Sequence, residues 1–186
     1  MPESSFPMTL PEGAVLIAEP CVGKLELQRA ALKALWGRQG WPEWQLLPNG
    51  KPVLTADDQH CSLSHGGGWV AAAMAPHPIG IDVEAPGERL ARARRRFAGP
   101  ADAPVLDLFG DNLDTLCRLW TAKEAAFKVF GTGLDFLTGL EWRDIHNESA
   151  NVWAPVQSQC LRITWCRLFE PDAWLAVATT APDPSI

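Results

Sequence analysis

The sequence predicts an α+β fold of two similar α/β halves with a functional cleft between them. Three observations carry that expectation. Helical periodicity is strongest over two stretches, 23–38 and about 114–130. Much of the remainder reads as short β-like runs separated by Pro- and Gly-marked turns. Two of those runs also resemble each other: WVAAAMAP at 69–76 and WLAVATTAP at 174–182 are both Trp-led strands ending in Ala-Pro. The echo points to an internal duplication, although two unrelated alanine-rich strands would look much the same. The expected division is 1–86 and 87–186.

Taken in order, AVLIA at 14–18 reads as a short strand. Residues 23–38 read as a helix with Leu25, Leu32, Leu35 and Trp36 on one face. A loop with Pro42, Pro48, Asn49 and Gly50 follows, then short extended pieces at KPVL and CSLSH. The glycine triplet Gly66–Gly68 breaks the chain. WVAAAMA (69–75) and IGIDVE (79–84) flank Pro76 and Pro78, which fits a β-hairpin or a tight strand-to-strand connection. An Arg-rich, helical segment comes next, and 100–114 reads as loop. A helix from about Asp114 to Phe130 is followed by a β-like tail: NVWAPV, CLRITWCRLF and WLAVATT.

Composition excludes several classes. The chain has 186 residues, 47% hydrophobic and 20% charged, which fits a soluble globular protein of one domain or two packed halves. A net charge of −6 argues against a general nucleic-acid binder. No apolar run approaches the ~20 residues of a membrane span. The start, MPESSFPMTLPEG, lacks the basic-then-apolar pattern of a signal peptide. Cys21, Cys61, Cys117, Cys160 and Cys166 form no CxxC pair, so reduced thiols in a cytoplasmic protein are expected.

Three stretches carry chemistry. On the helix at 114–130, a turn of ~100° per residue puts Leu116, Leu119, Trp120, Phe127 and Phe130 in one arc. Lys123 falls inside that arc, Glu124 on its flank, and Lys128 one turn further on. Buried charges need partners or a metal, so the pattern suits a site at the edge of a core. An ordinary Glu-Lys pair with snorkelling stems is the other reading. In IGIDVE, Asp82 and Glu84 share one strand face while Ile81 and Val83 point to the core. Paired carboxylates suit a hard divalent ion, or are two solvent-facing acids. In LSHGGG, Ser64, His65 and the glycine backbone suit a phosphate, or form a plain turn. A hydrolase triad is disfavoured, because no nucleophile elbow is present.

Order and spacing bind these pieces together. GKP is followed by SLSHGGGWV, then IGIDVE, then about 35 residues, then WTAKEAAFK and a G-x-GL turn. This arrangement resembles the 4′-phosphopantetheinyl transferase superfamily, specifically its surfactin-type members of two pseudo-repeated halves. The family's (I/V)G(I/V)D-x-E strand reads IGIDVE here, and its W-(S/T/C)-x-KE-(A/S)-xx-K helix reads WTAKEAAFK. The resemblance runs from about Gly23 to about Pro182.

The resemblance implies a Mg²⁺-dependent transfer of 4′-phosphopantetheine from coenzyme A to a serine of an apo acyl or peptidyl carrier protein. Adenosine 3′,5′-bisphosphate would be the second product, and Mn²⁺ an alternative ion. Asp82, Glu84 and Glu124 would be metal ligands, with Glu124 and Lys128 catalytic. Lys51, Ser64, His65, Lys123 and Lys128 would contact coenzyme A, as would Lys24 and Lys33 on the early helix. On this reading Lys123 and Glu124 both face a polar cleft. The half 1–86 would supply the coenzyme A site and first metal ligands, and 87–186 the WTAKEAAFK helix. Arg92, Arg94, Arg95 and Arg96 would dock the carrier, or form a solvated basic helix. A monomer is expected, with no nucleic acid or membrane partner. Ser62 stands where relatives carry Asn, Gly66 where they carry Ser, and Thr132 where they carry Lys. A non-catalytic coenzyme A or carrier-binding member is the alternative, and a Mg²⁺-dependent phosphohydrolase a third.

Overall fold

The computed structural model describes residues 8–55 and 58–182. Part of the N-terminal stretch read above for a leader lies outside these residues. The chain is arranged as four layers, helix, sheet, sheet, helix. The first sheet has the order β1-β5-β4, from β1 (Val15–Pro20), β4 (His60–Gly66) and β5 (Trp69–Ala75). The second has the order β6-β10-β9-β8-β7. It is built from β6 (Ile79–Glu84), β7 (Glu141–Arg143), β8 (Ser149–Ala154), β9 (Gln159–Leu168) and β10 (Ala173–Ala181). All the pairings are antiparallel. Helix α1 (Leu25–Arg38) covers the outer face of the first sheet, and α4 (Leu113–Phe130) that of the second.

Strand alternation explains the layers. On β5, Ala71, Ala73 and Ala75 face the second sheet, while Val70 and Ala72 face Leu32, Leu35 and Trp36 of α1. On β10, Leu175 and Val177 meet the first sheet, and Trp174, Ala176 and Ala178 meet the α4 side. On β6, Ile79, Ile81 and Val83 enter the inter-sheet core. The two Trp-led strands hold corresponding places: each has an antiparallel neighbour on both sides and a helix on its outer face.

Two sequence expectations change here, and one choice between alternatives is decided. Strands 69–75 and 79–84 are a tight connection and not a hairpin, because β5 pairs with β1 and β4 while β6 pairs with β10. The reason is that β6 completes the second sheet, so the chain crosses between layers at Pro76–Pro78. Residues 100–114 are not mainly loop: a 3₁₀ turn at Pro100–Asp102 leads into α3 (Ala103–Phe109), whose Val105 is fully buried. The 42–50 loop holds the strand β2 (Trp44–Leu46), paired with β3 (Pro52–Leu54). The Arg-rich segment is helical as expected, as α2 (Glu88–Ala93) and a 3₁₀ turn at Arg94–Arg96. All five cysteines are free thiols. Among the described residues, no helix is long and apolar enough to cross a membrane.

Candidate active site

The site lies where β4, β6 and α4 meet. The alternation that buries Ile81 and Val83 turns Gly80, Asp82 and Glu84 toward α4. A Cβ on Gly80 would collide with the Ala125 carbonyl oxygen. Only glycine lets α4 lie directly on β6, and this contact brings Glu124 and Lys128 beside Asp82. Asn112 starts the helix by accepting the Thr115 N–H (2.9 Å), and the Gly131 N–H returns to the Phe127 carbonyl to close it.

Asp82 is only 8% exposed. Its Oδ1 accepts from Ser64 Oγ at 2.9 Å and from Lys128 Nζ at 2.8 Å. Lys128 also donates to the Ile81 carbonyl at 2.8 Å, so it bridges to β6 and makes no simple helix-surface pair with Glu124. Glu124 is half-buried beside them. Burial first, then the Asp82 carboxylate, pushes its carboxyl above the usual range; Glu84 adds to this rise and Lys128 opposes it. Glu84 accepts the Ala85 N–H at 3.0 Å and pairs with the exposed Arg89.

A cleft of about 610 Å³ opens from this point, lined by Arg29, Lys33, Trp44, His65, Asp82 and Lys128 among others. A smaller hollow of about 180 Å³ adjoins it, and Lys51, Glu124, Phe127 and Lys128 are among its walls. Lys128 borders both. Lys51 donates to the Val129 carbonyl at 3.1 Å, placing a cation at the negative end of α4. The expected residues Lys33, Lys51, Ser64, His65, Asp82, Glu124 and Lys128 therefore converge. Arg29 was missed; its signal was the i, i+4 spacing to Lys33 on α1. Lys24 stands exposed at the start of α1, outside the residues lining this cleft.

Lys123 departs most from expectation. It is 1% exposed and faces away from the cleft. Its Nζ contacts Asp102 at 2.6–2.7 Å and donates to the Phe97 carbonyl (2.8 Å) and the Phe136 carbonyl (2.6 Å). Asp102 also accepts from the Gly99 N–H and Trp142 Nε1, both at 2.8 Å. The Lys123 ammonium is thus fully used inside a core. The physical reason is that α4 is buried on two sides: one rests on β6 and β10, the other under the 97–106 segment. Asp102 is one of four aspartates in the stretch 100–114, so the sequence alone did not single it out as the partner.

The departures from the family pattern also have local causes. A Cβ on Gly66 would strike the Val83 carbonyl oxygen, so this backbone has no room for a serine side chain. Ser62 is buried, and its Oγ accepts the Ile81 N–H at 3.0 Å. Thr132 is exposed beyond the end of α4.

Among the described residues, no three His, Cys, Asp or Glu side chains are gathered closely enough to hold a metal ion. The chemistry of the donor set is nonetheless the kind a hard divalent cation takes. Asp82, Glu84 and Glu124 offer oxygen ligands from two elements, and the ionised form of Glu124 is disfavoured first by burial and then by its two acidic neighbours. A cation would relieve that repulsion.

The sequence profile of the 4′-phosphopantetheinyl transferase superfamily matches residues 78–177, more than half of the chain. The chain belongs to this superfamily. The matched span holds Asp82, Glu84, Glu124 and Lys128, whereas Lys51, Ser64 and His65 precede it. A 4′-phosphopantetheinyl transferase of Bacillus subtilis is 30% identical over 116 residues, covering 61% of this chain and 52% of the relative. The transferase psf-1 of Bacillus pumilus is 31% identical over 140 residues, covering 72% and 59%. Sfp of Bacillus subtilis strain 168 is 36% identical over 88 residues, covering 46% and 39%. The chain spans about half the length of the curated relatives it matches.

Proposed function

We propose that this superfamily member transfers 4′-phosphopantetheine from coenzyme A to a serine of an apo acyl or peptidyl carrier protein. Adenosine 3′,5′-bisphosphate is the other product. The observation that supports this most directly is the pairing of Asp82 with Lys128 in a cleft bordered by Arg29, Lys33 and His65, with Glu124 lining the smaller hollow that shares Lys128 with it. Such a site matches a polyanionic substrate at one end and a proton acceptor at the other.

In this reaction the serine oxygen bonds to the β-phosphorus. The bond from that phosphorus to the bridging oxygen breaks, and its electron pair leaves on the α-phosphate. Glu124 takes the serine proton, directly or through water. Lys128 balances charge on the leaving phosphate. Arg29, Lys33, Lys51 and His65 orient the nucleotide end. Asp82, Glu84 and Glu124 would hold Mg²⁺ or Mn²⁺, which when bound supplies positive charge to the pyrophosphate. The exposed Arg92, Arg95 and Arg96 would steer an acidic carrier, while Arg94 is paired with Asp111 at 2.7 Å. The halves 1–86 and 87–186 are read as duplicated units in a monomeric cytoplasmic enzyme, with β6 of the first joining the sheet of the second.

The test is intact-mass analysis of a panel of apo carrier proteins incubated with the protein, coenzyme A and Mg²⁺. A phosphopantetheine adduct, absent with EDTA and with Glu124→Ala, is expected. Coenzyme A consumed without a carrier would indicate a hydrolase instead. Coenzyme A bound but intact, with no adduct, would indicate a binding module.

A further inference from the structure

The seam between the two sheets is not a backbone ladder. Strand β4 spends its ladder bonds on β5, and β6 spends its own on β10. The N–H groups of Ile81 and Val83 on the other side of β6 are met by side chains: Ser62 Oγ accepts from Ile81 at 3.0 Å, and Ser64 Oγ accepts from Val83 at 3.1 Å. Two hydroxyls at i and i+2 on one strand thus match two N–H groups at i and i+2 on the next. They set the register between the sheets, and Asp82 lies between the two stapled N–H groups.

Ser62 and Ser64 differ in one respect. A hydroxyl has one proton and two lone pairs. Ser64, 5% exposed, gives its proton to Asp82 Oδ1 at 2.9 Å and one lone pair to Val83. What remains is a lone pair, which repels a phosphate oxygen. Lys128 donates to the same Oδ1 at 2.8 Å. Both donors converge on one carboxylate oxygen, and the other oxygen of Asp82 is the one available to a cation.

We propose that Ser64 is a positioning residue for Asp82 and not a ligand of the substrate phosphate. This deepens the functional reading above and rests on it. Ser64 fixes the rotation of the Asp82 carboxylate through the seam, and Lys128 does so from α4. The phosphates of the substrate are then left to the cleft's basic side chains, Arg29, Lys33 and His65.

The experiment uses the full chain with Ser64→Ala, Ser62→Ala and Ser64→Thr. Mn²⁺ affinity is measured by electron paramagnetic resonance at saturating coenzyme A. Coenzyme A affinity is measured by calorimetry in EDTA, and Tm is recorded for each variant. Removing a group that orients a metal ligand typically weakens metal binding by about 10–100-fold. Ser64→Ala is expected to lose Mn²⁺ affinity by at least about 10-fold while its metal-free coenzyme A affinity stays at the wild-type value. Ser62→Ala, in the same seam but without the carboxylate, is expected to lower Tm and keep Mn²⁺ affinity. Ser64→Thr retains the hydroxyl and is expected to keep most of it, which preserves the test if the alanine variant does not fold. Weaker metal-free coenzyme A binding in Ser64→Ala with Mn²⁺ affinity intact would overturn the proposal in favour of a phosphate ligand. Equal Mn²⁺ losses in Ser62→Ala and Ser64→Ala would overturn it in favour of a purely structural seam. Wild-type protein that binds neither coenzyme A nor Mn²⁺ would instead overturn the functional reading, and that result is visible before any variant is compared.

Discussion

Lys123 and Glu124 are neighbours in the chain, yet one is locked in a core and the other lines the hollow beside the cleft. Lys123 is held by Asp102 and two carbonyls. Removing one member of a buried ion pair typically costs about 3–5 kcal/mol, because the partner charge is left alone. Lys123→Met is therefore expected to lose stability on that scale in urea unfolding, and adding Asp102→Asn is expected to recover part of it. Glu124 behaves oppositely. Its folded carboxyl is raised above the unfolded value, so the folded metal-free protein holds its proton more tightly. The resulting stability is present at acidic pH and declines as pH rises through the raised value. Glu124→Gln removes the ionised carboxylate. In EDTA at pH 7 it is expected to raise Tm, by about 2–4 °C for each kcal/mol recovered, while abolishing transfer. The gap from wild type should shrink as pH falls through the carboxylate range.

At the scale of elements, the contact between α4 and β6 decides whether the site exists. It depends on Gly80, where a methyl group would meet the Ala125 carbonyl. Overpacking a close contact typically costs about 1–3 kcal/mol. Displacement by about 1 Å can cost on the order of 100-fold in rate. Gly80→Ala is expected to lower Tm and to reduce adduct formation more than stability alone would account for. The same logic applies at Gly66, where relatives carry serine. Restoring the relatives' serine there would place a Cβ against the Val83 carbonyl. Gly66→Ser is therefore expected to destabilise this protein by thermal melt, not to improve it.

For the whole molecule, charge is distributed unevenly around a net value of −6. The exposed Arg92, Arg95 and Arg96 lie on α2 and the 3₁₀ turn that come after the strand carrying Asp82 and Glu84. Electrostatic steering acts mainly on association and weakens with salt. The triple change of these arginines to glutamate is expected to lower kcat/KM for an acidic carrier at low salt. Coenzyme A affinity should stay intact, and the difference should narrow as ionic strength rises. Stopped-flow association of labelled carrier would measure it.

Much of the fold and site was legible because it follows from local rules. Period-two alternation in IGIDVE placed Asp82 and Glu84 on one face and Ile81 and Val83 in the core, and the structure agrees. The spacing of GKP, SLSHGGG, IGIDVE and WTAKEAAFK was enough to indicate the family. Other features depend on partners distant in sequence. Periodicity put Lys123 on a buried face, but only the tertiary fold supplied Asp102 and so decided that this face is a core. Strand pattern identified β5 and β6, but their long-range pairing to β1 and β10 put them in different sheets. Hydroxyl chemistry marked Ser64 as functional, but its proton goes to Asp82 because β4 packs beside β6. The sequence by itself determined which residue types share a face and in what order they come. The tertiary structure decided which of those groups are already bonded to one another, because a hydrogen bond or ion pair needs both partners in place.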